Sequence, residues 1–161
     1  MDMQKKRGSA QPAFLIAQVG GHAATQFGER LAALRLTPPD AGILRLLGID
    51  PGMNQQELSG KLGIHPSRLV AILDELERRG YIQRKANAVD RRQYALHLTE
   101  QGTKVLEQIG QIARQHQDAL CAALSHEERV TLTDLLQKIA NQHGLMPGIH
   151  PGYRRMKPDA K

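Results

Sequence analysis

A chain of 161 residues, 40% hydrophobic and 24% charged, is long enough for one globular domain with a helical appendage. Its single Cys excludes an intramolecular disulfide and a multi-cysteine zinc site, and no stretch reaches the roughly 18 apolar residues of a membrane helix, so a reducing, cytoplasmic setting without a membrane is expected. The net charge of +6 is concentrated in residues 1–10, 65–98 and 144–161, which points to a polyanionic partner.

With no Trp, two Phe and three Tyr, the core must come from Leu, Ile, Val and Ala, and that composition suits helices. Residues 1–10 read as a disordered basic arm. From Gln11 to about Leu36, Leu15, Val19, Ala23, Phe27, Leu31 and Leu34 recur at helical spacings. Gly20-Gly21 interrupts this helix, either to let another helix approach or to kink it.

A second helix starts at Thr37-Pro38-Pro39-Asp40, which supplies an N-cap, a first-turn proline and an acidic third position, and it ends at Asp50-Pro51-Gly52. Asn54-Gln55-Gln56-Glu57 resembles a capping box opening a short third helix, closed by Gly63 as a left-handed residue. Pro66 opens a fourth, running to about Arg79 with Leu69, Ile72, Leu73 and Leu76 inward. Tyr81 to Lys85 and Tyr94 to Leu98 read as two short strands, with Tyr94, Leu96 and Leu98 on one face. Thr99 caps a long fifth helix carrying Val105, Ile109, Ile112, Ala119 and Ala123 on one stripe. Ser125-His126-Glu127-Glu128 is the capping box of a sixth, and from Gly144 the chain reads as a basic tail.

Helix, glycine turn, helix and hairpin in that order form a helix-turn-helix followed by a wing. The fourth helix would then present His65, Ser67, Arg68 and Ala71 outward, N-terminus first. Small and hydrogen-bonding side chains there can reach base edges in a major groove, and a helix N-terminus favours phosphate. Gln55, Lys61, Arg78 and Arg79 are candidate phosphate contacts, with Arg78 and Arg79 divided between that role and structural ion pairs.

Four stretches carry a family resemblance: residues 56–63 (QELSGKLG), residues 73–82 (LDELERRGYI), Asp90-Arg91-Arg92, and residues 98–102 (LTEQG). In that order and spacing they resemble the MarR family of winged-helix regulators over about residues 12–143. The resemblance implies a mainly α fold with a small β-hairpin wing, divided as a dimerisation helix at 11–36, a DNA-binding lobe at 37–98 and dimerisation helices at 99–143. It implies a homodimer whose two-fold axis passes through the first, fifth and sixth helices, bound to a pseudo-palindromic double-stranded operator. It implies that Arg92 enters the minor groove, that Asp90 orients its guanidinium, and that Arg91 adds a phosphate contact. His65 departs from the family pattern by standing at an N-cap where Asp, Ser or Thr is usual, which is expected to weaken the cap.

The same resemblance implies a crevice for small aromatic or phenolic ligands between the dimerisation helices and the lobe, with His22, Gln26, Phe27 and Arg45 as candidates. Repression relieved by such a ligand is the expected function, with activation on the same scaffold as its variant. A switch governed by metal at His residues, or by oxidation of Cys121, is the alternative. The seven His are scattered with no His-x-x-x-His pair, so no metal is expected, and Cys121 on an Ala- and Leu-rich helix reads as buried and inert. No cofactor motif or catalytic elbow appears, so no enzyme and no cofactor are expected.

Overall fold

The computed structural model describes residues 11–150 and Tyr153; the basic arm expected at 1–10 and most of the C-terminal basic residues lie outside them. Six helices and one hairpin follow in chain order: α1 (Pro12–Ala32), α2 (Pro38–Ile49), α3 (Gln55–Leu62), α4 (Pro66–Arg78), β1 (Ile82–Ala86), β2 (Tyr94–Leu98), α5 (Glu100–Leu120) and α6 (His126–Gln142).

The helix starts are set by local hydrogen bonds. Thr37, Asn54 and Ser125 each accept from the backbone N–H three residues on, and Asp40, Glu57 and Glu128 return the bond to the cap residue's own N–H. Thr99 caps α5 through Gly102 N–H at 3.0 Å. Gly63, at φ 67°, ends α3 as expected.

Three boundaries differ from the periodicity: α5 ends at Leu120, which leaves Ala123 in the turn before α6, and the other two lie at the end of α1 and the start of β1. α1 stops at Ala32, not near Leu36, because residues 33–35 form a turn in which Arg35 takes φ 54°. Arg79 fixes this turn from 44 and 45 residues away, donating to the carbonyls of Arg35 at 2.7 Å and Leu34 at 3.0 Å. β1 begins at Ile82, not Tyr81, because Tyr81 still belongs to the helix end: its N–H reaches back to Leu76 O at 3.0 Å across Gly80, at φ 78°. α1 runs unbroken through Gly20 and Gly21, and no atom of the described residues stands near either one's Cβ position.

The hairpin pairs Ile82 with Leu98 and Ala86 with Tyr94, antiparallel. The chain before α3 joins its edge, since Gly52 N–H donates to Leu96 O and Leu96 N–H to Met53 O, both at 2.9 Å. Leu96 is buried, whereas Tyr94, two residues nearer the wing tip, lies past the edge of the core and is exposed.

The core lies in the lobe. Leu44, Leu47, Leu58, Leu69, Leu73 and Leu76 are fully buried among the helices, with Ile82 and Leu96 closing the hairpin side. α1 contributes only Leu31 to it, and α5 only Val105, Ile109 and Gly102. α6 buries no residue. Phe14, Leu15, Ile16 and Val19 on α1, and Val130, Leu132, Leu135, Leu136 and Ile139 on α6, form apolar stripes open to solvent.

Candidate nucleic-acid interface

α3 and α4 form the helix-turn-helix, and Ser59 Oγ donates to Ile64 O at 2.7 Å across their turn. The N-terminus of α4 is exposed at His65, Pro66 and Ser67. His65 fills the cap position with its ring: Nδ1 accepts from Ser67 N–H at 3.3 Å and lies 2.8 Å from Ser67 Oγ. The imidazole thus does the work of a capping oxygen, and it holds the Ser67 hydroxyl at the helix tip. Arg68 is half-buried, and Val70 and Ala71 are exposed beyond it.

The wing is held against both helices. On the α3 side, Asn54 Nδ2 donates to Gln93 Oε1 at 2.8 Å. On the α4 side, Arg84 of β1 bonds Asp74 at 2.7 Å and also pairs with Glu77. Burial alone would lower the Arg84 pKa, but its bonds to the two carboxylates outweigh that and raise it. Between wing, α3 and the start of α4 lies a hollow of about 460 Å³ lined by Gln55, Gln56, Pro66, Arg84, Arg92 and Tyr94, among others.

At the wing tip Arg91 and Arg92 are both exposed. Asp90 Oδ1 accepts from the backbone N–H of Arg92 at 3.0 Å, and Asp90 O from Gln93 N–H at 3.1 Å. Asp90 therefore shapes the loop that carries Arg92 through the Arg92 backbone. Asn87 Oδ1 makes a second turn of this kind with Val89 N–H at 2.9 Å.

The other candidates are spread more widely. Gln55 lines the hollow, but Lys61 sits away from it and pairs with Asp50 at 3.4 Å. Arg78 is bidentate to Glu75 at 2.8 and 2.6 Å, which raises the arginine and holds the carboxylate below its ordinary value. Arg79 is structural: besides fixing the α1–α2 turn it donates to Tyr81 Oη at 3.2 Å and stacks 4.8 Å over the Tyr81 ring.

Arg84, Gln56 and Tyr94 also line the hollow but were not site candidates in the sequence. Arg84 had a readable signal. It falls on the same strand face as Ile82, a basic residue among inward positions, and Asp74, Glu75 and Glu77 precede it by one helical turn and a bend.

A second concavity, of about 900 Å³, opens between α1, α2, α5 and the chain after α6. Its walls are apolar, from Phe27, Pro39, Ile49, Leu106, Ile109 and Ala113, and Arg45 is the one Arg or Lys lining it among the described residues. Of the four crevice candidates, Phe27 and Arg45 line it and His22 and Gln26 do not; Gln26 is turned to Glu29 at 3.2 Å. Phe27 also contacts His116 with ring centroids 5.5 Å apart. Burial, then the charges of Arg30 and His22, lower the His116 pKa. The described residues contain no group of three His, Cys, Asp or Glu able to hold a metal, and Cys121 stands half-buried at the end of α5.

Comparison with known proteins places this geometry. The model of the MarR family matches residues 36–94, the lobe from the end of the α1–α2 turn to the start of β2. A protein of Thauera aromatica, assigned to transcriptional regulation of the hcr operon, is 33% identical over 90% of this chain and 97% of its own length. The transcriptional repressor CouR, solved bound to a 23-mer DNA duplex, superimposes with a TM-score of 0.72 at 31% identity, covering 87% of this chain and 98% of that one. Apo MarR from E. coli gives a TM-score of 0.74 at 26% identity, over 81% of this chain and 97% of that one.

Proposed function

The chain belongs to the MarR family of transcriptional regulators, whose members are not enzymes, and on that premise we propose that it is a homodimeric repressor released from its operator by a small aromatic acid. The observation that carries this reading is the arrangement of α2. On one side this helix packs against the lobe that bears α3, α4 and the wing; on the other it forms a wall of the apolar crevice and places Arg45 in it. A ligand there touches the element through which the lobe joins α1 and α5.

The dimer follows from the open stripes. Phe14, Leu15, Ile16 and Val19 of α1 and Val130, Leu135, Leu136 and Ile139 of α6 are more exposed apolar surface than a monomer keeps, and a second copy covers them. Two α4 helices about one DNA turn apart, roughly 34 Å, then enter successive major grooves of a pseudo-palindrome in the cytoplasm. His65, Ser67 and Arg68 face base edges, Arg92 enters the flanking minor groove, and Gln55, Lys61, Arg78 and Arg91 lie toward phosphates. The likeness to CouR on its duplex supports this docking.

Release requires a ligand that binds the DNA-incompetent spacing of the two lobes more tightly. An apolar wall with one cation suits an aromatic carboxylate. The test isolates operator fragments from genomic DNA with the pure protein, then titrates salicylate, benzoate and other aromatic acids against the complex. Affinity should fall with at least one acid, and Arg45→Ala should blunt that fall while unliganded binding stays intact. If no acid changes affinity at millimolar concentration, release by an aromatic acid is wrong. If no fragment is retained at all, the DNA reading is wrong as well.

A further inference from the structure

The chain after α6 does not leave the molecule at Gly144. It turns back along α2. Arg45 Nη2 donates to the carbonyl of Gly148, Ile149 packs against the core, and Tyr153 donates from its hydroxyl to Pro38 O at 3.0 Å. The Arg45 and Tyr153 contacts each exploit a glycine. A Cβ on Gly42 would stand 3.0 Å from Tyr153 Oη, so the phenol lies directly on bare α2 backbone. A Cβ on Gly148 would stand 2.6 and 2.7 Å from the two Arg45 Nη atoms, and Gly148 also takes φ +73°, which disfavours any side chain. Gly148, His150 and Tyr153 thereby form one wall of the 900 Å³ crevice.

We propose that this strap is an internal competitor for the crevice: docked, it occupies the guanidinium of Arg45, and an anionic aromatic ligand must displace the Gly148 carbonyl to reach it. The proposal rests on the reading of the crevice as an anion seat. Its chemistry is an exchange of acceptors. A carboxylate or sulfonate takes two charge-assisted bonds from the guanidinium fork, whereas the carbonyl takes one neutral-acceptor bond. The strap is also weakly held, because among its described residues only Ile149 and Tyr153 are even half-buried. A docked fraction that must open before ligand enters lowers the apparent affinity by that fraction. The strap thus sets the concentration at which the regulator responds, without touching DNA.

The test uses the full chain and two substitutions that weaken docking by different means. Gly148→Ala opposes the backbone angle and crowds Arg45; Tyr153→Ala removes the ring and hydroxyl from Gly42 and Pro38. The probe is 1-anilinonaphthalene-8-sulfonate, an aromatic sulfonate followed by fluorescence, alongside amide hydrogen exchange of peptides spanning 145–153. Both variants should exchange faster in those peptides and bind the probe about fivefold more tightly. Adding Arg45→Gln to either should abolish the gain. Faster exchange with unchanged or weaker probe binding would make the strap a wall of the site and overturn the proposal. Unchanged exchange in both variants would overturn it too, by showing that these contacts do not hold the strap. No operator enters the experiment, so its failure is separate from a failure of operator release by an aromatic acid.

Discussion

Arg84 and Glu77 are joined twice. The Arg84 backbone N–H donates to Glu77 Oε1 at 3.3 Å, and its guanidinium pairs with Glu77 Oε2 while a second arm reaches Asp74. The first strand of the wing is thus bolted to the helix that presents His65 and Ser67. The proposed docking, with helix and wing in two grooves, needs that rigidity, because the two must arrive at a fixed separation.

Arg84→Ala should therefore harm binding more than folding. The carboxylates it leaves are partly in water, so the stability loss should be about 1 kcal/mol. Operator affinity should fall by more than that loss accounts for. Thermal melts and fluorescence anisotropy on the same preparation check the split; equal losses would make Arg84 a stabilising residue only.

Gly102→Ala should be among the most damaging single-methyl changes in the chain. A Cβ there would overlap the carbonyl oxygen of Tyr81, which is backbone, and the Gly102 N–H is tied to Thr99 Oγ1 at 3.0 Å. Tyr81 O itself accepts from Thr99 N–H at 3.0 Å, so neither side can yield. We expect a loss of at least about 2 kcal/mol, read from urea unfolding, whereas Gly60→Ala, with open space around it, should be neutral or stabilising.

At the wing tip, Arg92→Ala should weaken binding on every sequence and most at A·T-rich flanks, where the minor groove is narrow. Asp90 offers a sharper test. Its observed bond is to the Arg92 backbone, which a neutral amide oxygen accepts equally well. Asp90→Asn should therefore keep most of the affinity that Asp90→Ala loses. Matching losses for Asn and Ala in anisotropy titrations would instead assign Asp90 to orienting the guanidinium through charge.

His116 predicts a pH effect on stability. Its folded pKa is lowered by burial and by the charges of Arg30 and His22, so the unfolded chain binds the proton more readily. Stability from this group is complete above the unfolded value, about pH 6.5, and is lost as pH falls through it toward the folded one. Melting midpoints should drop between about pH 7.5 and about 5.5, and His116→Gln should flatten the drop. An unchanged slope in the variant would place the sensitive group elsewhere.

Helix starts, the glycine that closes α3 and the apolar seams were legible in the amino-acid sequence, because each is decided by residues within about four positions of one another, and the hairpin because its two strands are close neighbours along the chain, from Ala86 with Tyr94 outward to Ile82 with Leu98. Thr37 with Asp40, Asn54 with Glu57, and Ser125 with Glu128 are complete capping units whatever surrounds them. The exposed basic tip at Arg91 and Arg92 was legible for the same reason.

Only the tertiary structure decided which polar side chains hold the frame. Arg79, one of a charged pair in sequence, is committed to the Leu34 and Arg35 carbonyls; Arg84, unremarkable in sequence, clamps the wing. His22 and Phe27 stand on the same helix, yet only Phe27 lines the crevice, whose other walls come from α2, α5 and the strap. The strap itself read as tail, because Pro, Gly and basic residues carry no periodicity. Its docking depends on Arg45 and Pro38, 103 and 115 residues away, and on two glycines that leave room for contact. Local propensity is a property of neighbours along the chain, whereas the partner of a long flexible cation is chosen by whatever carbonyl or carboxylate the packed core brings within 3 Å or so of it.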